Sequence, residues 1–114
     1  MKKEPAIFLK HIIESIELIE EFSKELTIDE LAENQLKQSA IIRQIEIIGE
    51  AAKNLPKEFA ENYNDIPWKD IVGMRDKIIH QYFNIDSNII WDVLEIDLPE
   101  LKQKIKKILK KQKI

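Results

Sequence analysis

Arg75 and His80 are the two side chains of this sequence best suited to chemistry on a phosphate group. A guanidinium stabilises the negative charge that builds on a phosphate in the transition state, and an imidazole transfers protons near neutral pH. The pair is therefore chemically suited to cleavage of RNA without a metal ion, although such a pair can also arise by chance in a charged helix. The alternatives are a surface ion pair for Arg75, with Asp70, Asp76 or another helix, and a hydrogen-bonded position near a helix end for His80.

A single His80 supplies one proton-transfer group per chain, whereas RNA cleavage needs a base for the 2′-OH and an acid for the leaving 5′ oxygen. A symmetric dimer solves this because its interface presents the same surface twice. We therefore predict a homodimer whose interface includes the segment that carries Arg75 and His80. Asp76 is a candidate for orienting His80 from one helical turn away, and pairing with Lys77 or with solvent is its alternative.

The second histidine, His11, shares a helix face with Glu14, but a metal site in a helical bundle needs several inward ligands on different helices. The sequence has Cys 0 and no His-Glu-x-x-His motif, so neither a metal nor a cofactor is expected. Arg43, Glu46 and Glu50 have the spacing of intrahelical ion pairs. The spacing also leaves open that these three residues contact Arg75 and support it.

The 114 residues and their 44% apolar content suit one domain with a real core. Gly 2 and Pro 4 leave few positions for turns, which favours long helices with short connections. The absence of cysteine, of a signal-peptide pattern and of an apolar run of membrane-spanning length predicts a soluble, cytoplasmic protein.

The net charge of −3 argues against a surface that coats nucleic acid broadly. Residues 102–114 nevertheless hold seven lysines and no acidic residue. One interpretation is a solvated last helix with lysines near its negative dipole end. The other is a local basic surface that meets RNA.

Helical periodicity predicts an all-α, up-and-down bundle of four main helices plus a short extra helix over residues 1–114. The first helix begins at Pro5 and extends to about Leu26. A Thr27–Glu30 capping box begins the second, which bends near Asn34, extends to Leu55 and contains Gly49 as a point of close packing.

Pro67 opens a third helix that is expected to carry Arg75 and His80 and to end near Phe83. On it Arg75 and His80 would lie about 140° apart around the axis. Asp86 is expected to cap a fourth helix and Asp97 a fifth. Trp68 and Trp91 are expected to anchor the core or a dimer interface.

The spacing Arg-x4-His-x-Tyr over Arg75, His80 and Tyr82 resembles the signature of HEPN-domain proteins, specifically the HepT-like ribonuclease toxin family. Three further segments are similar to the family in the expected order, and together they cover roughly residues 40 to 103: residues 43–56, residues 66–74, and Trp91 with residues 97–101.

The resemblance implies a metal-independent endoribonuclease toxin with a composite cleft across a homodimer, and 2′,3′-cyclic phosphate and 5′-OH products. It also implies a minimal nucleotidyltransferase antitoxin that attaches AMP to Tyr82. From its position Tyr82 is equally an amphipathic residue at the core edge, about 200° around the helix from His80. The alternative function is a non-catalytic helical module that binds a nucleotide or the nucleotidyltransferase. A plain helical interaction protein leaves the Arg75–His80 motif unexplained.

Overall fold

The structure, a computed structural model, describes residues 4–80 and 84–112, with only the backbone described at Ile79, His80, Asn84 and Gln112. It is all-α apart from one pair of two-residue strands. Its elements follow in chain order: α1 Pro5–Phe22, α2 Ile28–Glu33, α3 Gln35–Lys53, α4 Lys57–Asn62, α5 Trp68–Val72, α6 Met74–Ile78, β1 Ile79–His80, β2 Asn84–Ile85, α7 Ser87–Asp92, a π-helical turn Val93–Asp97, and α8 Leu98–Gln112.

The predicted helix starts at Pro5 and Thr27 are confirmed. Pro5 is the first residue of α1. Thr27 Oγ1 accepts from the Glu30 backbone N–H at 3.1 Å, and the Thr27 N–H donates to Glu30 Oε1 at 3.2 Å, so the capping box is complete. Asn34 breaks the second predicted helix, because its φ of −101° and ψ of 91° are extended and its side chain caps α3.

Helix α1 ends at Phe22, four residues before the predicted end. The Ser23 hydroxyl and the Ser23 backbone N–H both donate to the Ile19 carbonyl, at 2.8 Å and 2.9 Å, so the side chain bonds back onto the last turn. Glu25 then has a φ of 61°, a left-handed conformation that a continuing helix does not contain.

The core lies between the three long helical stretches, α1, α3 and α8, and is built mostly from isoleucine. Helix α1 packs along α3, α8 packs against α1, and α5 and α6 pack against α3. The residues of these three helices with the smallest exposed fractions are all aliphatic and lie on the inward faces: Leu9, Ile12, Ile16, Ile41, Ile48 and Ile105.

Gly49 allows α5 to approach α3 closely, as predicted. A Cβ atom at this position would lie 3.2 Å from the Val72 carbonyl oxygen and 3.5 Å from that of Ile71. Both neighbours are backbone atoms, which cannot rotate away as a side-chain end can. The missing side chain therefore sets the distance between α3 and the segment that leads into α6.

The prediction of one helix from Pro67 through His80 is wrong. The chain forms two five-residue helices, α5 and α6, separated at Gly73, and the helix ends at Ile78. Ile79 and His80 instead pair antiparallel with Ile85 and Asn84. The Ile78 carbonyl accepts from the Asp86 backbone N–H at 2.9 Å, a bond to a residue eight positions later.

The last two predicted helices are joined into one helical stretch. Asp86 caps α7 as predicted, and its Oδ1 accepts from the N–H groups of Asn88 and Ile89. The prediction that Asp97 caps a separate helix is wrong, because Asp97 lies in the π-helical turn. Pro99 explains that turn: it cannot donate to the carbonyl four residues earlier, and a wider turn accommodates its ring.

The described part of the chain therefore has three long helical stretches rather than four. No helix in it is both long and apolar enough to cross a membrane.

Candidate functional site

Arg75 lies on α6 with its guanidinium held against α3. Its Nε donates to Glu46 Oε2 at 2.9 Å, and its Nη1 lies 3.4 Å from Asp76 Oδ1. The Arg75 side chain is 46% exposed, so solvent still reaches the group. One carboxylate thus orients the guanidinium while its remaining N–H donors can reach a ligand, an arrangement that suits recognition of a phosphate.

Glu46 connects two arginines. Its Oε1 lies 3.8 Å from Arg43 Nη1, which confirms the intrahelical pair predicted from spacing. Its other oxygen makes the contact with Arg75 that sequence spacing had left open. Glu46 and Arg75 are 29 positions apart, so no local pattern reveals this contact.

Packing explains why Glu46 and Arg75 meet. Gly49 lies one helical turn after Glu46 on α3 and makes room for the end of α5. Helix α6 begins two residues later, at Met74. Because Met74 and Ile78 are buried, α6 is oriented with Arg75 on a neighbouring, solvent-exposed face.

His80 and Tyr82 are placed only in part. The backbone of His80 pairs with Asn84 in the short strand pair, so His80 follows α6 and does not belong to it. The angles predicted around a helix axis for Arg75, His80 and Tyr82 therefore do not apply. The prediction that Asp76 and His80 lie one helical turn apart does not apply either. Tyr82 and the His80 side chain lie outside the described residues. The Asp76 side chain is 83% exposed beside Arg75.

An open concavity of about 480 Å³ lies along α1 and α3 beside this network. Its polar lining includes His11, Arg43, Glu46 and Glu50, so the second histidine shares a surface with the carboxylate that holds Arg75. Among the residues that the structure describes, no group of three or more His, Cys, Asp or Glu side chains could hold a metal ion.

The sequence profile of the family described as "Ribonuclease HepT-like" matches residues 12–108, a region that includes Glu46, Arg75 and His80. The chain belongs to the HepT-like ribonuclease family. The match confirms the resemblance drawn from the Arg-x4-His-x-Tyr spacing.

Named relatives of this HepT-like chain come from archaea and bacteria. A Methanocaldococcus jannaschii protein named "Gamma-glutamylcyclotransferase and putative RNase" is 52% identical over 96% of this chain, which spans only 49% of that relative's length. A "Putative RNase" of Caldanaerobacter subterraneus is 43% identical over 97% of this chain and 99% of its own length. The "Probable ribonuclease HepT" of Thermococcus cleftensis is 43% identical over 96% of this chain and its whole length. No solved structure matches the chain significantly.

The HepT-like chain has a second, smaller cavity of about 120 Å³ on another face of α6. It brings together charged residues that sequence reasoning did not connect, among them Asp70, Lys77 and Asp97. Partial burial raises the pKa of Asp97, and the positive charge of Lys77 acts to lower it. The negative charges of Asp92, Glu100 and Asp70 raise the pKa of Asp97 further. The cavity separates α6 from the π-helical turn and Asp97 forms part of its wall.

Proposed function

We propose that this chain is a metal-independent endoribonuclease, the toxin of a toxin–antitoxin pair. The observation that carries the proposal is the Arg75 guanidinium, half exposed and oriented by Glu46 at 2.9 Å, five residues before His80 in a HepT-like chain. Relatives named as ribonucleases over their whole length support the class of reaction.

Arg75 stabilises the charge on the phosphate while His80 transfers protons. One His80 imidazole takes the proton of the 2′-OH, and the 2′ oxygen attacks the phosphorus. The bond from phosphorus to the 5′ oxygen breaks, and an imidazolium donates the proton that this oxygen needs. The products are a 2′,3′-cyclic phosphate and a 5′-OH, and no metal takes part.

Two His80 groups are supplied by a homodimer with a composite cleft. Val72 and Ile85, which flank the 75–80 segment in sequence, are 40% and 37% exposed. Exposed apolar side chains of this size on both sides of the motif suit an interface with a second copy. Light scattering at micromolar concentration should give the dimer mass, and a strictly monomeric mass would exclude the composite site.

A cleavage assay tests the reaction. Purified protein is incubated with labelled RNA in EDTA, and the ends of the products are identified. Cleavage should persist in EDTA and fall by about 10² or more in His80→Ala, the usual scale for losing general acid–base catalysis. The matched control is His11→Ala, which removes the other histidine and should keep most of the activity.

A strict requirement for added magnesium, or full activity in His80→Ala, would contradict this mechanism. A dimer that binds the nucleotidyltransferase but cuts no RNA would instead indicate the non-catalytic module.

Tyr82 is the proposed point of control by the antitoxin. Its hydroxyl attacks the α-phosphorus of ATP on the nucleotidyltransferase, which yields tyrosyl-AMP and pyrophosphate. The added bulk and negative charge beside the cleft exclude RNA. Incubation with the nucleotidyltransferase and ATP should add one AMP mass to Tyr82, located by mass spectrometry.

Tyr82→Phe should stay active and escape neutralisation, whereas Tyr63→Phe, the same change at the only other tyrosine, should be neutralised normally. No mass gain on Tyr82, or equal neutralisation of both variants, would refute the regulatory role.

A further inference from the structure

The lysine-rich face of α8 borders an open groove of about 730 Å³. The opposite wall is the end of α4 and the loop that follows it. Four lysines, one aspartate and one aromatic ring are among the lining residues: Tyr63, Asp65, Lys104, Lys107, Lys110 and Lys111.

The lysines of α8 differ in how they are paired. Lys102 turns toward α1, where its Nζ lies 2.7 Å from Glu20 Oε1. Lys104 lies 3.3 Å from Glu100 and also donates to the Asp65 carbonyl at 2.9 Å, which ties α8 to the opposite wall. Lys107, Lys110 and Lys111 are exposed and form no ion pair with any residue that the structure describes. The positive charge of the groove is therefore available to a ligand.

Tyr63 provides a fixed aromatic surface at the other wall. Its ring is partly buried, with its centroid 4.9 Å from that of Phe59. The Tyr63 carbonyl accepts from the Trp68 indole N–H at 3.1 Å, which holds the backbone at this position. A ring held in this way loses little conformational entropy when a planar ligand stacks on it.

We propose that this groove binds single-stranded RNA, with Lys107, Lys110 and Lys111 on the phosphates and Tyr63 stacked on a base. A basic groove beside an aromatic side chain is how proteins hold single strands without reading their sequence. The proposal rests on the ribonuclease function proposed above and assigns it a substrate-binding surface outside the Arg75 site.

The environment of α8 favours RNA over a lipid surface. Leu101, Ile105 and Ile108, the apolar face of α8, are at most 5% exposed in the core. A helix that binds a membrane must bury that face in lipid, so α8 could do this only by leaving the fold. A strand of RNA needs only the exposed lysines and the groove.

The groove also extends toward the helix that carries Arg75. Ile66 and Lys104 line both the groove and the small cavity beside α6, whose other walls include Met74 and Lys77. The groove and the small cavity beside α6 therefore adjoin each other, and the lining of the cavity also includes the carboxylates of Asp70, Asp97 and Glu100.

The experiment measures binding without cleavage. The full chain carrying His80→Ala is titrated against a fluorescent single-stranded RNA of about 12 nucleotides, a length within the usual range for single-strand sites. Anisotropy gives Kd from about 50 to 200 mM salt. The test variant is Lys107→Gln/Lys110→Gln/Lys111→Gln. The matched control is Lys10→Gln/Lys24→Gln/Lys106→Gln, three exposed lysines outside the groove with the same change in net charge.

The groove variant should bind at least tenfold more weakly at low salt. Its slope of log K against log salt should fall by about 2, because each lost phosphate contact on a single strand contributes about 0.7. The control should stay within about twofold, since long-range effects of net charge are screened. Tyr63→Leu should weaken binding about fivefold or more, and Tyr63→Phe should not. Thermal melts should show that all variants fold.

Equal binding by the groove variant and the matched control would overturn the proposal. The proposal would also be overturned if the groove variant lost binding to anionic lipid vesicles while its RNA binding was unchanged. That result would assign the lysines to a membrane. Parallel cleavage assays on the same variants, made with His80 intact, separate the two proposals. If RNA is cut and the groove variant binds like the control, only the groove fails. If no RNA is cut and the groove variant alone loses binding, only the ribonuclease function fails.

Discussion

The Arg75 site and the groove along α8 both contain basic side chains, but these are held differently. Arg75 is fixed by Glu46 at 2.9 Å on a neighbouring helix. Lys107, Lys110 and Lys111 have no ion-pair partner among the described residues and lie on an exposed helical face. In the first region a carboxylate orients the guanidinium of Arg75, whereas in the second region three lysines have no ion-pair partner in the part of the chain that the structure describes.

The difference suits the two tasks in handling RNA that we propose for these regions. A planar guanidinium in a set orientation can act on one phosphate whose charge grows during reaction, and its geometry then matters. Ammonium groups on flexible stems contribute affinity to any phosphate, and only their charge and position matter. Four predictions test whether geometry governs the first region and charge the second, and what holds the first region in place.

The largest difference should come from substitutions that keep the charge. Arg75→Lys should lower the single-turnover cleavage rate about tenfold or more, because it loses the planar fork, and Arg75→Ala about 10² to 10³-fold. Lys107→Arg should leave RNA affinity within about twofold. Single-turnover rates at saturating protein and anisotropy give the two quantities. An Arg75→Lys variant as fast as wild type would show that charge alone suffices at both regions.

The packing that brings the two helices of the Arg75 site together can be disrupted at Gly49. Gly49→Leu should lower the free energy of unfolding by about 1 to 3 kcal/mol, because its side chain would push against the α5 backbone. Urea titration measures this. Gly73→Ala is the matched control, since its Cβ would be 3.5 Å from the nearest atom, and it should change stability by less than about 1 kcal/mol. Unchanged stability in Gly49→Leu would mean that α5 can move away from α3 at little cost.

Removing the carboxylate that orients Arg75 should have a smaller effect. Glu46→Gln should lower kcat about tenfold, as expected for losing about 1.4 kcal/mol of hydrogen bonding to a charged group, and leave KM nearly unchanged. Glu50→Gln, one turn later on α3, is the control. A rise in KM with kcat preserved would show that Glu46 supports binding and does not position Arg75.

The smallest effect concerns the cavity beside α6. The pKa of Asp97 is raised, so the folded state binds its proton more tightly than the unfolded chain does. Its stabilising contribution is complete below the pKa of the unfolded chain and is lost as pH rises through the raised value. Wild type should therefore lose stability relative to Asp97→Asn over that interval, by a small amount because Asp97 remains accessible to solvent. Thermal melts from mildly acidic to neutral pH measure it. The opposite slope would mean that Lys77 dominates the environment of Asp97.

Three helix starts could be predicted from the sequence, whereas the start assigned to Asp97 and the ends of two helices could not. Pro5, Thr27 and Asp86 act on backbone groups within a few residues, so their types and spacing suffice. The ends at Phe22 and Ile78 depend on a local back-bond and on a bond from Asp86. Helical periodicity does not register either one, which is why the third predicted helix was too long.

The sequence also indicated some features of the candidate site and not others. The Arg-x4-His-x-Tyr spacing indicated the family, and the Arg43–Glu46 pair followed from helical spacing. The roles of Arg75 and His80 stay predictions. No sequence pattern indicated that Tyr63 lines a groove. The loop that contains Tyr63 is joined to α8 by the hydrogen bond from Lys104 to the Asp65 carbonyl, and these two residues are 39 positions apart in the sequence.

The sequence alone thus determined the helical class, the caps, the apolar faces and the Arg75–His80 motif, because each depends on residue types a few positions apart. Only the tertiary structure decided that Glu46 holds Arg75, that His80 follows α6 and lies outside it, and that the α8 lysines face Tyr63. These three arrangements depend on which distant segments pack together. Gly49 lets α5 approach α3 closely because it lacks a side chain.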